Sequence, residues 1–211
     1  MMQCRTIVRW APAGAIAIAL VLTFIPAAQA QEETRESFSA FAVAMGTSNP
    51  PIMPTGQTTT FQITITRWTS PEERNALLAQ LIENGQGGLI KALQKTEETG
   101  FVRATGSGAA MARKTFPSER LRYAFQFPGE EGKRRIVLAL DRPISMWEAV
   151  NSPRWRDYDM TLIVLDVDAE GKGEGQLAMG VQMSVNQEEK KLVIENFGTE
   201  PIRLTRVNKT K

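Results

Sequence analysis

Histidine is absent from all 211 residues, and the single cysteine, Cys4, stands ahead of the first apolar run. The first absence removes imidazole as a general base, and with it the Ser-His-Asp triad. The second removes thiol nucleophiles, CxxC redox pairs, Cys/His zinc sites and any disulfide framework from the body of the chain. Catalysis, if present, would have to be built from carboxylates, Lys, Arg, Tyr, Ser or Thr. No serine has a lysine three residues further on, so the local S-x-x-K nucleophile is missing too.

Charge of one sign is also lacking once the N-terminus is read as a leader. Arg5 and Arg9 precede an uncharged stretch over 11–25, and Pro26 with Ala28 and Ala30 forms a small-residue exit before Gln31. This is the layout of a cleaved secretory signal over 1–30. An uncleaved anchor is the competing reading, since such a run is just long enough to span a bilayer. A lipoprotein is disfavoured because Cys4 comes before the apolar core instead of after it. Removing Arg5 and Arg9 from 25 basic residues leaves 23 against 23 acidic ones, a formally neutral chain. Neutrality argues against nucleic-acid binding, which calls for a basic footprint. The remaining length suits one domain burying about 70% of the surface its unfolded chain exposes.

Short alternating runs dominate the rest of the chain. A weak strand over 37–45 and a proline-rich connection over 49–54 form an N-terminal segment, 31–57. The run 58–68 then sets Phe61, Ile63 and Ile65 on one side, a strong strand signal. Ser70, Pro71 and Glu73 make a capping box with proline in the first helical position. Leu77, Leu78, Leu81 and Ile82 come next at helical spacing until Asn84 and Gly85, and a shorter helix carries Leu89, Ile90 and Leu93. A short helical hairpin over about 70–99 is therefore expected after the second strand, its apolar stripe laid on a sheet face. Further strands are expected over 101–105, 120–127, 133–141, 160–167, 176–186, 192–197 and 202–207. The stretch 168–175, with its glycines and charges, reads as a hairpin loop. Leu162, Ile163, Val164 and Leu165 are apolar without alternation, which marks a strand covered on both faces. The expected fold is α+β but mainly β: an antiparallel meander forming a sandwich or partial barrel over 58–207, with 208–211 as a frayed end.

Candidate sites are few. Asp166, Asp168 and Glu170 are spaced like the start of a calcium loop, but Leu177 stands where the bidentate glutamate belongs, so a solvated acidic hairpin is the plainer account. Residues 108–115 are spaced like a phosphate-binding loop, yet Arg113 replaces the glycine that lets backbone wrap a phosphate. Glu148 and Glu195, set in apolar or aromatic sequence, are the acids suited to a paired-carboxylate hydrolase. The segment 142–158 gathers Arg142, Trp147, Arg154, Trp155, Arg156 and Tyr158, a set able to line a groove for a small ligand or an envelope protein. The expected role is a non-enzymatic exported domain, periplasmic or secreted. It needs no cofactor, is not held in the membrane after cleavage, and binds through strand-connecting loops. The alternatives are a carboxylate-dependent hydrolase of an envelope polymer and a structural envelope-assembly protein.

Overall fold

The computed structural model describes residues 35–43, 58–106, 118–142, 160–179, 181–186, 191–197 and 202–210. Its strands in chain order are β1 (Glu36–Val43), β2 (Thr58–Ile65), β3 (Gly100–Gly106), β4 (Glu119–Leu121), β5 (Tyr123–Pro128), β6 (Arg134–Leu140), β7 (Thr161–Val167), β8 (Lys172–Met179), β9 (Val181–Asn186), β10 (Lys191–Phe197) and β11 (Ile202–Lys209). The helix α1 (Pro71–Leu93) lies between β2 and β3, where the sequence placed helical structure. Nine strands form one antiparallel sheet in the order β4-β3-β2-β1-β11-β8-β7-β6-β5. It is thus two four-stranded meanders, β1 to β4 and β5 to β8, with β11 inserted between them.

The two edge strands are consecutive in the chain, separated only by Arg122. Leu121 of β4 accepts a hydrogen bond from the Thr99 amide, while the Arg122 amide donates to Ala139 of β6. One stretch of chain therefore faces β3 with its first part and β6 with its second, and the sheet curls into a nearly closed barrel. The sequence left sandwich and partial barrel open; the strand order is that of the barrel. Period-two alternation aims Phe38, Phe61, Ile63, Ile65, Leu121, Ile136, Leu138, Leu140, Ile163 and Leu177 inward, all buried in a single core.

A second core lies on the outer side of β6, β7 and β8. Leu77, Leu81, Leu89 and Leu93 of α1 cover Ala139, Leu162 and Ala178 there, with Met160, Val181 and Met183 beside them. The stripe on α1 is narrower than the sequence implied, since Ile82 is 46% exposed. Ser70 accepts from the Glu73 amide and Glu73 accepts from the Ser70 amide, so the capping box forms as read. Arg67 adds a charged hydrogen bond to Glu73 at 2.9 Å. Burial alone would raise the Glu73 carboxyl, but the Arg67 and Ser70 bonds outweigh it and hold it below the usual range. A single helical element stands where two short helices were expected, and its interruption falls at Gly85, which takes φ 63° and ψ −166°.

Two expected strands divide, which turns nine into eleven. Residues 120–127 split at Arg122, and 176–186 splits after Met179, where β8 reaches Thr161, the first residue of β7, and the chain leaves the barrel to form the separate β9–β10 ladder. The loop expected over 168–175 is shorter than that. The turn occupies Asp168 to Gly171, closed by the Lys172 amide donating to the Asp168 carboxylate at 2.8 Å, and 172–175 already belongs to β8. Gly173 and Gly175 serve close strand approach: a Cβ on them would lie 1.9 Å from the Asp166 carbonyl and 2.5 Å from that of Val164.

Candidate functional site

Strand registers sort the barrel into two unlike ends. Val43 pairs with Thr58, Thr59 with Gly106, Leu140 with Thr161, Thr161 with Met179 and Ile202 with Leu177. Consequently the connections 44–57, 107–117 and 143–159, and the whole excursion between β8 and β11, start and finish at one end. The other end carries the tight turns 129–133 and 168–171, both chain termini and the connection 66–99 with α1, since Ile65 pairs with both Glu36 and Gly100; there the Thr210 amide donates to the Ser37 carbonyl at 2.7 Å.

That termini-bearing end is plugged by charge. Glu36, 6% exposed, takes a two-pronged contact from Arg134 at 3.1 and 2.6 Å, and Lys209 Nζ sits 3.5 Å away. Arg134 also donates to Gln126 at 3.1 Å and lies over the Phe38 ring. A buried carboxylate is tolerable there because it is both paired and hydrogen-bonded.

The loop-bearing end holds a different cluster. Asp141 follows β6 with its side chain 3% exposed, and it meets Arg122 Nε and Arg142 Nε at 3.4 Å each. Arg122 reaches on to the Thr96 carbonyl at 3.1 Å, and its own Nε, though buried, has no hydrogen bond. Glu119 opens β4 opposite Val102 and on the same side of the strand as buried Leu121, so it faces the barrel rim. Burial pushes its carboxyl above the usual range, nearby Asp141 adds to that, and Arg142 opposes it. The arrangement can hold an anion with Arg142 or accept a donor at Glu119. Compared with protein-family models, curated proteins and solved structures, the chain matches none.

Of the residues singled out from the sequence, Arg142 is placed at this rim. Trp147, Glu148, Arg154, Trp155, Arg156 and Tyr158 lie outside the described residues, within the connection that starts and ends beside it. Glu195 belongs to β10 at a bulge between Ile194 and Asn196. Asp166 projects from β7 into a two-pronged pair with Arg135 at 2.6 and 3.0 Å, Asp168 closes its own turn, and Glu170 is exposed. Among the described residues no three acidic, His or Cys side chains gather closely enough to hold a metal ion. Glu119 and Asp141 went unnoticed in the sequence. Asp141 offered one signal, an acid ending an apolar strand directly before Arg-Pro; Glu119 offered none.

Proposed function

We propose that this protein is exported after cleavage behind Ala30 and binds a ligand or an envelope protein, without catalysis, using the strand connections at one end of its barrel. The observation carrying this reading is the segregation of connections. Three long connections and the β8–β11 excursion leave from one end; the other carries the tight turns, an ion-paired plug and the connection 66–99, whose helix α1 is committed to covering the outer side of β6 to β8, and the interior is filled by apolar side chains. A barrel of about eight strands has room inside for little more than its own side chains, so recognition belongs to the rim. Loops on a rigid scaffold are where binding residues concentrate. Trp147 and Trp155 would supply apolar contact, with Arg142, Arg154 and Arg156 holding an anionic group.

Native mass spectrometry of the protein recovered from the exported fraction tests this, together with crosslinking in the cell from position 147. We expect the mass of residues 31–211, accompanied by a retained molecule or a discrete crosslinked partner that Trp147→Ala and Arg154→Ala lose while thermal stability is kept. A chain still bearing residues 1–30 removes the export step. Capture that ignores both substitutions, or no capture by either method, removes the binding rim.

A further inference from the structure

Resting on that reading of the loop-bearing end, we propose that Arg142 anchors an oxyanion, a carboxylate or a sulfate-like group, and that Glu119 competes with it for the guanidinium. Arg142 spends only its Nε on Asp141; Nη1 and Nη2 bond nothing among the described residues, and its side chain is 56% exposed. Asp141 is the fixed part. It is almost fully buried and gripped from its other side by Arg122, which is itself anchored on Thr96. A buried carboxylate that takes the Nε of an arginine leaves the two terminal nitrogens as an outward fork, the geometry that matches a planar carboxylate or two oxygens of a tetrahedral anion.

Glu119 decides when the fork is free. The charged groups around it are Asp141 and Arg142 at the end of β6, Arg122 between β4 and β5, and Arg120 on its own strand, tied to Glu98 at 2.7 Å. From β3 it meets apolar Val102, with Arg103 turned out to solvent. Among the described residues the Glu119 carboxyl makes neither a hydrogen bond nor an ion pair. Burial holds its carboxyl above the ordinary range, while the positive charge of Arg142 favours its ionised form; an ionised Glu119 therefore draws Arg142 inward, and protonation releases the fork to an outside anion. Capture therefore tightens as pH falls through the folded-state pKa of Glu119 and weakens as pH rises past it.

Side-chain ¹⁵N NMR of the exported protein, titrated separately with trifluoroacetate and with sulfate, reads this directly, because both probes keep their charge between pH 5 and 8. The Arg142 resonances, assigned with Arg142→Lys, are expected to shift saturably. Affinity should be tighter at pH 5 than at pH 8, by at most about threefold, the scale of one partly exposed ion pair. Glu119→Gln should bind equally at both pH values. A response to only one anion identifies which oxyanion shape the fork accepts. Arg142 resonances indifferent to both anions sink the anchor, and an unchanged pH dependence in Glu119→Gln sinks the competition. If the anchor fails while Trp147→Ala still abolishes capture, only this inference is lost; if both fail, the binding rim goes with it.

Discussion

The two meanders of the barrel share an interior and differ outside. On the outer side of β6 to β8 stand Ala139, Leu162 and Ala178, buried beneath α1. On the outer side of β2 and β3 stand Thr60, Gln62, Arg103 and Thr105, with Gln62, Arg103 and Thr105 open to solvent. Cross-strand hydroxyl contacts dress this second surface, Thr105 donating to the Thr60 carbonyl at 3.1 Å and Ser37 to Thr64 at 3.3 Å. The lesson is that one strand geometry serves both halves, and the identity of every second residue decides whether a strand needs a roof. A β7 that is apolar on both sides requires a helix over it; a β2 that alternates does not.

The largest effect should come from the clasp joining the halves. Glu36 belongs to β1 and Arg134 to β6, so Arg134→Ala strands a buried carboxylate and should cost about 3–5 kcal/mol in urea unfolding. A loss below about 1 kcal/mol would show that Lys209 alone suffices and that the halves are held by the apolar core. Next comes the roofed surface itself. Leu162→Ala should cost about 2–5 kcal/mol, whereas Gln62→Ala on the bare half should stay within about 0.5 kcal/mol. Equal costs would erase the contrast. The smallest effect is local. Gln86 spreads its side-chain amide across β9, donating to the Val181 carbonyl and accepting from the Met183 amide, each at 2.8 Å. Gln86→Ala should accelerate hydrogen exchange at Met183 by roughly tenfold or more, the scale of about one net hydrogen bond, without moving exchange inside the barrel. Unchanged protection at Met183 would mean that α1 holds the β9–β10 arm by apolar contact alone.

How much of this was legible can be judged residue by residue. The capping box at Ser70, the inward row Phe61, Ile63, Ile65 and the double covering of β7 arise from local chemistry, and local chemistry is what a sequence displays. The row Leu177, Met179, Val181, Met183 was misleading in one respect. Its single alternating face serves two cores, Leu177 inside the barrel and Val181 with Met183 under α1, because the chain leaves the sheet between them. Nothing in the alternation marks that departure. Gly173 and Gly175 resemble turn residues for a similar reason: closeness to Asp166 and Val164 is a property of the partner strand. The rim cluster was the least visible, since Glu119 and Asp141 meet only when the sheet curls far enough to bring β4 against the end of β6.

The bond between Thr210 and Ser37 also sets how the molecule can be mounted. Whatever is attached ahead of Ser37 or behind Thr210, whether a lipid-embedded leader, a purification handle or a neighbouring module, leaves from the side opposite the connections 44–57, 107–117 and 143–159. A tethered copy therefore points the strand ends Val43, Gly106 and Leu140 away from its tether. A chain circularised through its own ends, or grafted by them onto a particle, would present the same surface.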